Sequence, residues 1–476
     1  MKHLCWFIVF LFQFFIGTTL AQTNALKFDI SQDTLSSKDS VYFTIDSIIL
    51  KGNKRTKDYI IFREVPFTVG EKFTPSQLTT KLELAKNQIM NTSLFVDVLV
   101  YVENLNNNIA TIKIDLKERW YIFPLPYFNL ADRNFSEWIN DHKASLERVN
   151  YGLRFYHFNV SGRNDKLSLN LITGYSKQIQ FSYSNPFSNK NLKNGFAVAF
   201  AYVNQKEINA STIDNKLNRV RLDNFIREGI KTSFTYSYRP DSKYRYYISL
   251  GYNHETVADT VIKLNPNFYP NGSNKNGYIS ISAMTQFYNL DYIPFPRKGF
   301  FYQLSVSNSG FTIDNNLLQI GVKTINVIPI SKNMFYYTRN WGIVKLGDGS
   351  IYTNQSLLGY NNMYVRAYES YVIDGMAGFV SNNSLYQKLF KYVFKNPIKI
   401  KGHERIPFNF YAKVFGDFGY AHNRYSNISD KFSNIFLTSV GVGLDITTIY
   451  DLVFRLEYGI NHTGNTAFGI RMQSEF

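Results

Sequence analysis

Cysteine is almost absent from this chain: there is one in 476 residues, Cys5, and it lies in an apolar stretch at the start. Residues 1–21 read as a secretory signal peptide, with Lys2 and His3, an apolar run from Leu4 to Gly17, and Thr19-Leu20-Ala21 as a small-residue cleavage site. Once that segment is removed no thiol remains, which excludes disulfides, thiol catalysis, Cys-ligated metal and a lipoprotein cysteine at the cut. Long hydrophobic runs are missing too. After residue 21 none approaches the ~20 residues that a helical membrane span needs. A membrane location would then require a closed barrel, since only helices and barrels satisfy every backbone hydrogen bond in lipid.

Histidine is sparse at seven, and no two histidines, nor a histidine and a carboxylate, stand at a metal-ligand spacing. His157, His403 and His422 have no nucleophile and orienting acid at a recognisable spacing. Gly441-x-Gly443 is no phosphate loop, because it sits in an alternating strand (Leu437, Val440, Val442, Leu444), where small residues ease strand curvature. The expectation is a protein that is not an enzyme, with no cofactor and no metal.

Aromatic residues, in contrast, are abundant: 35 Tyr and 41 Phe bring their share with Trp to 17%, more than a soluble core requires. They suit a wall of alternating lipid-facing and water-facing residues with ring girdles at both interfaces. A compositional drift toward Lys, Asn, Ile, Tyr and Phe would also supply rings, so the aromatics count only together with periodicity. The formal charge of +16 suits anionic partners such as acidic lipids or lipopolysaccharide, and basic residues lining a lumen account for it equally well. Export argues against nucleic acid.

Along the chain, residues 22–40 are polar and aperiodic, a flexible linker. Residues 41–118 read as a small α+β domain. A strand from Tyr42 ends at the turn Gly52-Asn53-Lys54, Thr56 caps a helix to about Glu64, and a second helix runs from Thr74 to Asn91 with Leu78, Leu82, Ala85 and Ile89 on one face. Strands at Phe95–Glu103 and Ala110–Lys117 follow, joined at Asn106 to Asn108. From 119 to 476 the texture is one of short alternating segments: Leu167, Leu169 and Leu171 share a side, as do Phe196, Val198, Phe200 and Tyr202, and Tyr244, Tyr246, Ile248, Leu250 and Tyr252. A two-residue period over successive ten-residue segments marks lipid-exposed strands. At ~22 residues per strand plus turn, the segment holds about sixteen of them, with twelve or eighteen also compatible.

One cation, Arg366, stands among apolar neighbours in Met363-Tyr364-Val365-Arg366-Ala367-Tyr368-Glu369, and an enclosed guanidinium requires a carboxylate. Asp417, in the strand-like Phe415-Gly416-Asp417-Phe418-Gly419, is the proposed partner, on the face that also carries Lys413. Arg455 and Glu457 alternate with Phe454, Leu456 and Tyr458 and are candidates for the same lumen network.

The loop motif Val365-Arg366-Ala367-Tyr368 and the strand motif Phe415, Asp417, Gly419 resemble those of the BamA/TamA superfamily of outer-membrane insertases and transporters. The strand–helix–helix–strand–strand order of residues 41–118 resembles a POTRA domain, and Pro294-Phe295-Pro296-Arg297-Lys298-Gly299 is similar to a turn before a long strand in that family. The end of the chain, with Phe468, Ile470, Met472 and Phe476 outward, looks like a barrel-targeting signal, from which Ser474 departs. Ala367 stands where the family usually has Gly, and Ala avoids the left-handed backbone that Gly accepts. The resemblance implies a mainly β fold, a 16-stranded antiparallel transmembrane β-barrel preceded by one POTRA domain. It also implies a loop folded back into the lumen, its Arg366 meeting Asp417. The function it implies is insertion or translocation of polypeptides at the bacterial outer membrane, with the POTRA domain in the periplasm. The implied partners are the lipid bilayer, unfolded or exported polypeptide clients, and periplasmic or lipoprotein partners. A passive channel, a secretion pore for a single client, and a lipid-acting barrel enzyme are the alternatives.

Overall fold

Strand β1 (Phe43–Lys51) begins a four-stranded sheet, followed by helix α1 (Asp58–Phe62), β2 (Lys72–Phe73), helix α2 (Pro75–Met90), β3 (Phe95–Asn106) and β4 (Ile109–Glu118). The computed structural model describes residues 42–130, 143, 145–360, 363–396, 405–425 and 430–472. The expected signal peptide and linker, together with His403, Ser474 and Phe476, lie outside the described residues.

The sheet order is β2-β1-β4-β3, with β1 parallel to β4 and the other pairs antiparallel. Helix α2 starts at Thr74, whose hydroxyl accepts from Gln77 N while the Gln77 side chain accepts from Thr74 N, and Pro75 sits where no N–H is needed. Its Leu78, Ala85 and Ile89 are buried, and the sheet residues Ile45, Ala110, Ile112 and Ile114 supply the other side of the core. Each Leu or Ile among them taken out of water contributes roughly 1.5–3 kcal/mol. Thr56 differs from expectation. Lys57 precedes α1 with no side-chain cap, and Thr56, buried, instead shares a hydrogen bond with Tyr121 Oη at 3.1 Å and accepts from Asn159 Nδ2 at 2.9 Å. A long-range contact outcompeted the local cap.

The second sheet is a wall of sixteen antiparallel strands. They are β5 (Ile122–Leu130), β6 (Val149–Phe158), β7 (Lys166–Gly174), β8 (Ser176–Asn185), β9 (Asn194–Gln205), β12 (Arg227–Tyr238), β13 (Tyr244–Val257), β14 (Lys275–Leu290), β15 (Gly299–Ser309), β16 (Leu317–Pro329), β17 (Met334–Gly347), β20 (Ala377–Lys395), β21 (Arg405–His422), β22 (Phe436–Thr447), β23 (Val453–Asn461) and β24 (Thr466–Met472). A hairpin of β10 (Glu207–Ile213) and β11 (Lys216–Arg221) and the short pair β18 (Ser356–Leu358) and β19 (Ile373–Asp374) stand outside it. Every neighbour in the wall is hydrogen-bonded in order except at one junction. Among the described residues β5 and β24 do not pair, so the cylinder is not closed there.

Polarity across the wall is inverted relative to a soluble sandwich. Ile230, Phe234, Tyr236, Ile248, Leu250 and Tyr252 are exposed, whereas Asn253, Glu255, Arg339, Lys345, Asp417, Asp445, Arg455 and Glu457 are buried. Apolar-out, polar-in alternation is what a strand between lipid and an aqueous lumen demands.

The small domain and the wall belong to one compact unit, residues 43–476. Phe187, in the turn after β8, packs in the same core as Ile60, Ile61, Phe95 and Leu116. Arg63 donates to Leu192 O at 2.8 Å and to Arg239 O at 2.9 Å, Gln88 Nε2 to Ser242 Oγ at 2.9 Å, and Asn91 Oδ1 accepts from Ile293 N at 2.9 Å. Glu64, 2% exposed as a side chain, pairs with Arg63 at 2.7 Å and Arg239 at 3.0 Å, and Asp451 accepts from Arg119 at 2.9 Å and Ser93 at 3.0 Å. Burial pulls the Arg239 guanidinium down to about 10, with Glu64 opposing that shift. The domain is thereby held to turns spread around one rim of the wall.

Candidate functional site

The connection between β17 and β20 does not stay at the rim. Its Leu357, Leu358, Met363, Val365, Tyr368 and Ile373 pack against Val380, Ala421 and Leu437, which point from the wall to its inner side. This apolar cluster carries the backbone of residue 366 against β21, and the two-residue period of β21 decides what it meets there. Positions 413, 415, 417 and 419 share one face.

Three of them, 415, 417 and 419, each receive one part of the loop. Arg366 Nε donates to Asp417 Oδ2 at 2.7 Å and Nη2 to Oδ1 at 2.6 Å, a two-pronged contact to which the Arg366 backbone N–H adds a third bond at 3.1 Å. The guanidinium lies 3.9 Å from the centroid of the Phe415 ring. Gly419 seats the loop, since a Cβ there would fall 2.7 Å from Val365 Cγ2. Arg366 Nη2 also donates to Asn383 O and Ser384 Oγ, both at 3.1 Å, and Asp417 accepts from Asn382 Nδ2 at 2.8 Å and Asn383 N at 3.2 Å. Burial alone would pull the Arg366 guanidinium down, but Asp417 and Glu457 outweigh it and push it up, so the cation stays charged.

The pair belongs to a larger cluster. Four cations, Arg366, Lys413, Arg455 and Arg471, face four carboxylates, Asp417, Asp445, Glu457 and Glu369. Glu457 lies 3.1 Å from Arg366 and 2.8 Å from Lys413 and also pairs with Arg471, while Lys413 reaches Asp445 at 2.6 Å. Arg455 lies 3.3 Å from Asp445, and Arg471 closes the chain back to loop residue Glu369 at 2.6 Å. Three of these cations, Arg366, Lys413 and Arg455, and three of the carboxylates, Asp417, Asp445 and Glu457, are buried, a balance that a low-dielectric interior tolerates.

Gly441 and Gly443 also leave space for neighbouring side chains. A Cβ on Gly443 would meet Lys413 Cε at 2.7 Å, and one on Gly441 would meet Phe415 Cζ at 2.4 Å. These glycines leave room for side chains of β21 to lie across β22, so Lys413 crosses a whole strand to reach Glu457 on β23.

Ala367 also corrects an expectation. Its φ is +64°, the left-handed conformation that Ala avoids. Asn461 Nδ2 holds the Ala367 carbonyl at 2.9 Å, and Tyr368 Oη donates to Thr438 O at 3.3 Å and contacts His462 Nδ1. Ties on both sides of the residue keep it there. Phe468, Ile470 and Met472 project outward from β24, exposed among the large apolar side chains.

Asp445, Glu369, Arg471, Tyr386 and Asn382 were not singled out from the sequence. Glu369 directly follows the loop motif, whereas Asp445 and Arg471 come opposite Arg455 only through the register of β22, β23 and β24, which nothing in the sequence states.

Residues 43–119 match the family model for POTRA, described as a surface antigen variable number repeat, and residues 159–471 match that of the Omp85 superfamily domain. The chain belongs to the Omp85 superfamily. Its fold is therefore one POTRA domain followed by a 16-stranded outer-membrane β-barrel. Among solved structures, this Omp85 chain is similar to BamA from Haemophilus ducreyi lacking POTRA domains 1–3, at 16% identity and a TM-score of 0.48 over 91% of this chain and 83% of that one. CdiB from Escherichia coli is similar at 12% identity and a TM-score of 0.46, covering 97% and 95% of the two chains, and CdiB from Acinetobacter baumannii at 12% and 0.45, covering 91% and 74%. No curated protein matches the chain.

Proposed function

We propose that this Omp85 protein inserts or translocates polypeptides at the bacterial outer membrane, with its POTRA domain in the periplasm and with no nucleotide consumed. The observation that carries this reading is the junction between β5 and β24, which do not pair among the described residues. A barrel wall with two free edges offers main-chain hydrogen bonds to an incoming strand and a sideways route into lipid. The POTRA domain adds a third free edge, because β3 ends its sheet, and an extended client segment can extend that sheet whatever its side chains. The Arg366 loop braces the lumen, so that the wall keeps its curvature when the junction gives.

The deciding experiment is depletion of the protein followed by comparison of outer-membrane and surface proteomes. Loss of many barrel proteins marks a general insertase, and loss of one exported protein marks a dedicated transporter. An unchanged proteome, together with ion conductance independent of the POTRA domain, would leave a passive pore in place of the proposal.

A further inference from the structure

The two free edges of the barrel wall are chemically unequal. Phe158 N donates to Tyr121 O at 2.7 Å, and with the β5–β6 register this directs the odd-numbered backbone groups of β5 toward β6 and the even-numbered ones to the open junction. The outward positions are Ile122, Pro124, Pro126, Phe128 and Leu130. Proline has no N–H, so two successive donors in the middle of that edge are blank. A strand laid against β5 would have two carbonyls facing nothing, beside lipid that supplies no water in their place.

On β24 the same reasoning gives a complete edge. Asn461 N donates to Asn465 O at 3.0 Å, and with the β23–β24 register this leaves Thr466, Phe468, Ile470 and Met472 directed outward, each with its N–H and C=O. The side chains of Phe468, Ile470 and Met472 are 63%, 70% and 64% exposed, an apolar flank on which an alternating strand can lie.

Building on the strand-capture function above, we propose that β24 is the edge to which a client strand adds, and that Pro124 and Pro126 bar the same strand from β5 and keep β5 from zipping onto β24. The partner is an extended, alternately apolar polypeptide segment without proline at the pairing positions.

The test uses the full chain in lipid vesicles, with Cys5→Ser and single cysteines at Ile470 or Phe468 on β24, or at Ile122 or Phe128 on β5. The probe is a urea-unfolded eight-stranded barrel polypeptide with one cysteine in its last strand, and disulfide trapping is read on gels. Trapping at β24 is expected to exceed that at β5 by about thirtyfold, the factor that two lost backbone bonds imply. The paired change Pro124→Thr with Pro126→Thr is expected to bring β5 close to β24. Equal or greater trapping at β5 in the chain with its prolines overturns the edge assignment. So does a paired change that leaves β5 silent while β24 still traps. Trapping at neither edge would overturn strand capture itself, and with it this proposal.

Discussion

Removing the Asp417 carboxylate is the sharpest perturbation of the inner-wall cluster. In Asp417→Ala the Arg366 guanidinium loses bonds of 2.7 and 2.6 Å and its backbone N–H loses one of 3.1 Å, while Asn382 and Asn383 lose their acceptor. Breaking a buried pair from one side costs about 3–5 kcal/mol, because the remaining charge stays desolvated. Glu457 still lies 3.1 Å from Arg366, which puts the expected loss near the lower end, about 3 kcal/mol. Replacing both partners with apolar residues of similar size, Arg366→Met with Asp417→Leu, removes the charge from both sides, and such exchanges are near neutral. With the single changes Arg366→Met and Asp417→Leu each costing about 3 kcal/mol, the double-mutant cycle should therefore show a coupling of about 6 kcal/mol. The assay is equilibrium urea unfolding in lipid vesicles, followed by tryptophan fluorescence and by the mobility of unheated samples in detergent gels. Additive single effects, or an Asp417→Ala loss below about 0.5 kcal/mol, would refute the idea that this pair braces the wall.

The neighbouring glycines and the loop tip give further tests. Ala367→Gly should raise stability by about 1 kcal/mol in the same unfolding assay, since it relieves a left-handed alanine. Gly443→Ala should cost about 1–3 kcal/mol in that assay, because its methyl group would meet Lys413 Cε at 2.7 Å and the Leu456 carbonyl at 2.8 Å. Phe415→Leu removes the ring face under the Arg366 guanidinium and should cost about 2 kcal/mol if that contact is desolvated. Glu64→Ala leaves Arg239 without its carboxylate at 3.0 Å, so the POTRA domain should loosen from the rim, read as faster protease cleavage near residues 119–121.

Much of the fold was legible because its causes are local. Alternation at Leu167 to Leu171 or Tyr244 to Tyr252 records which side of each strand meets lipid, and a strand cannot hide that period. Helix α2 carried its own start signal in Thr74, Pro75 and Gln77. Thr56 had the same chemistry and was misread as a cap, since Tyr121 and Asn159 are distant in sequence and near in space. Arg366 and Asp417 could be matched from sequence because each stands out alone, a cation in an apolar loop and an acid among aromatic residues.

By itself, the sequence determined the two domains, the apolar-out wall, the absence of thiol chemistry after residue 21 and the need of Arg366 for a carboxylate, all of which follow from composition and short-range period. Only the tertiary structure decided that Lys413 crosses Gly443 to reach Glu457, that Arg471 returns to Glu369, and that Ala367 is left-handed. The junction between β5 and β24 belongs with these. Pro124 and Pro126 are plain in the sequence, but which edge they blank depends on the direction of each backbone N–H, and that is fixed by pairing with β6. Register and parity come from contacts between distant segments, and so appear only when the chain is folded.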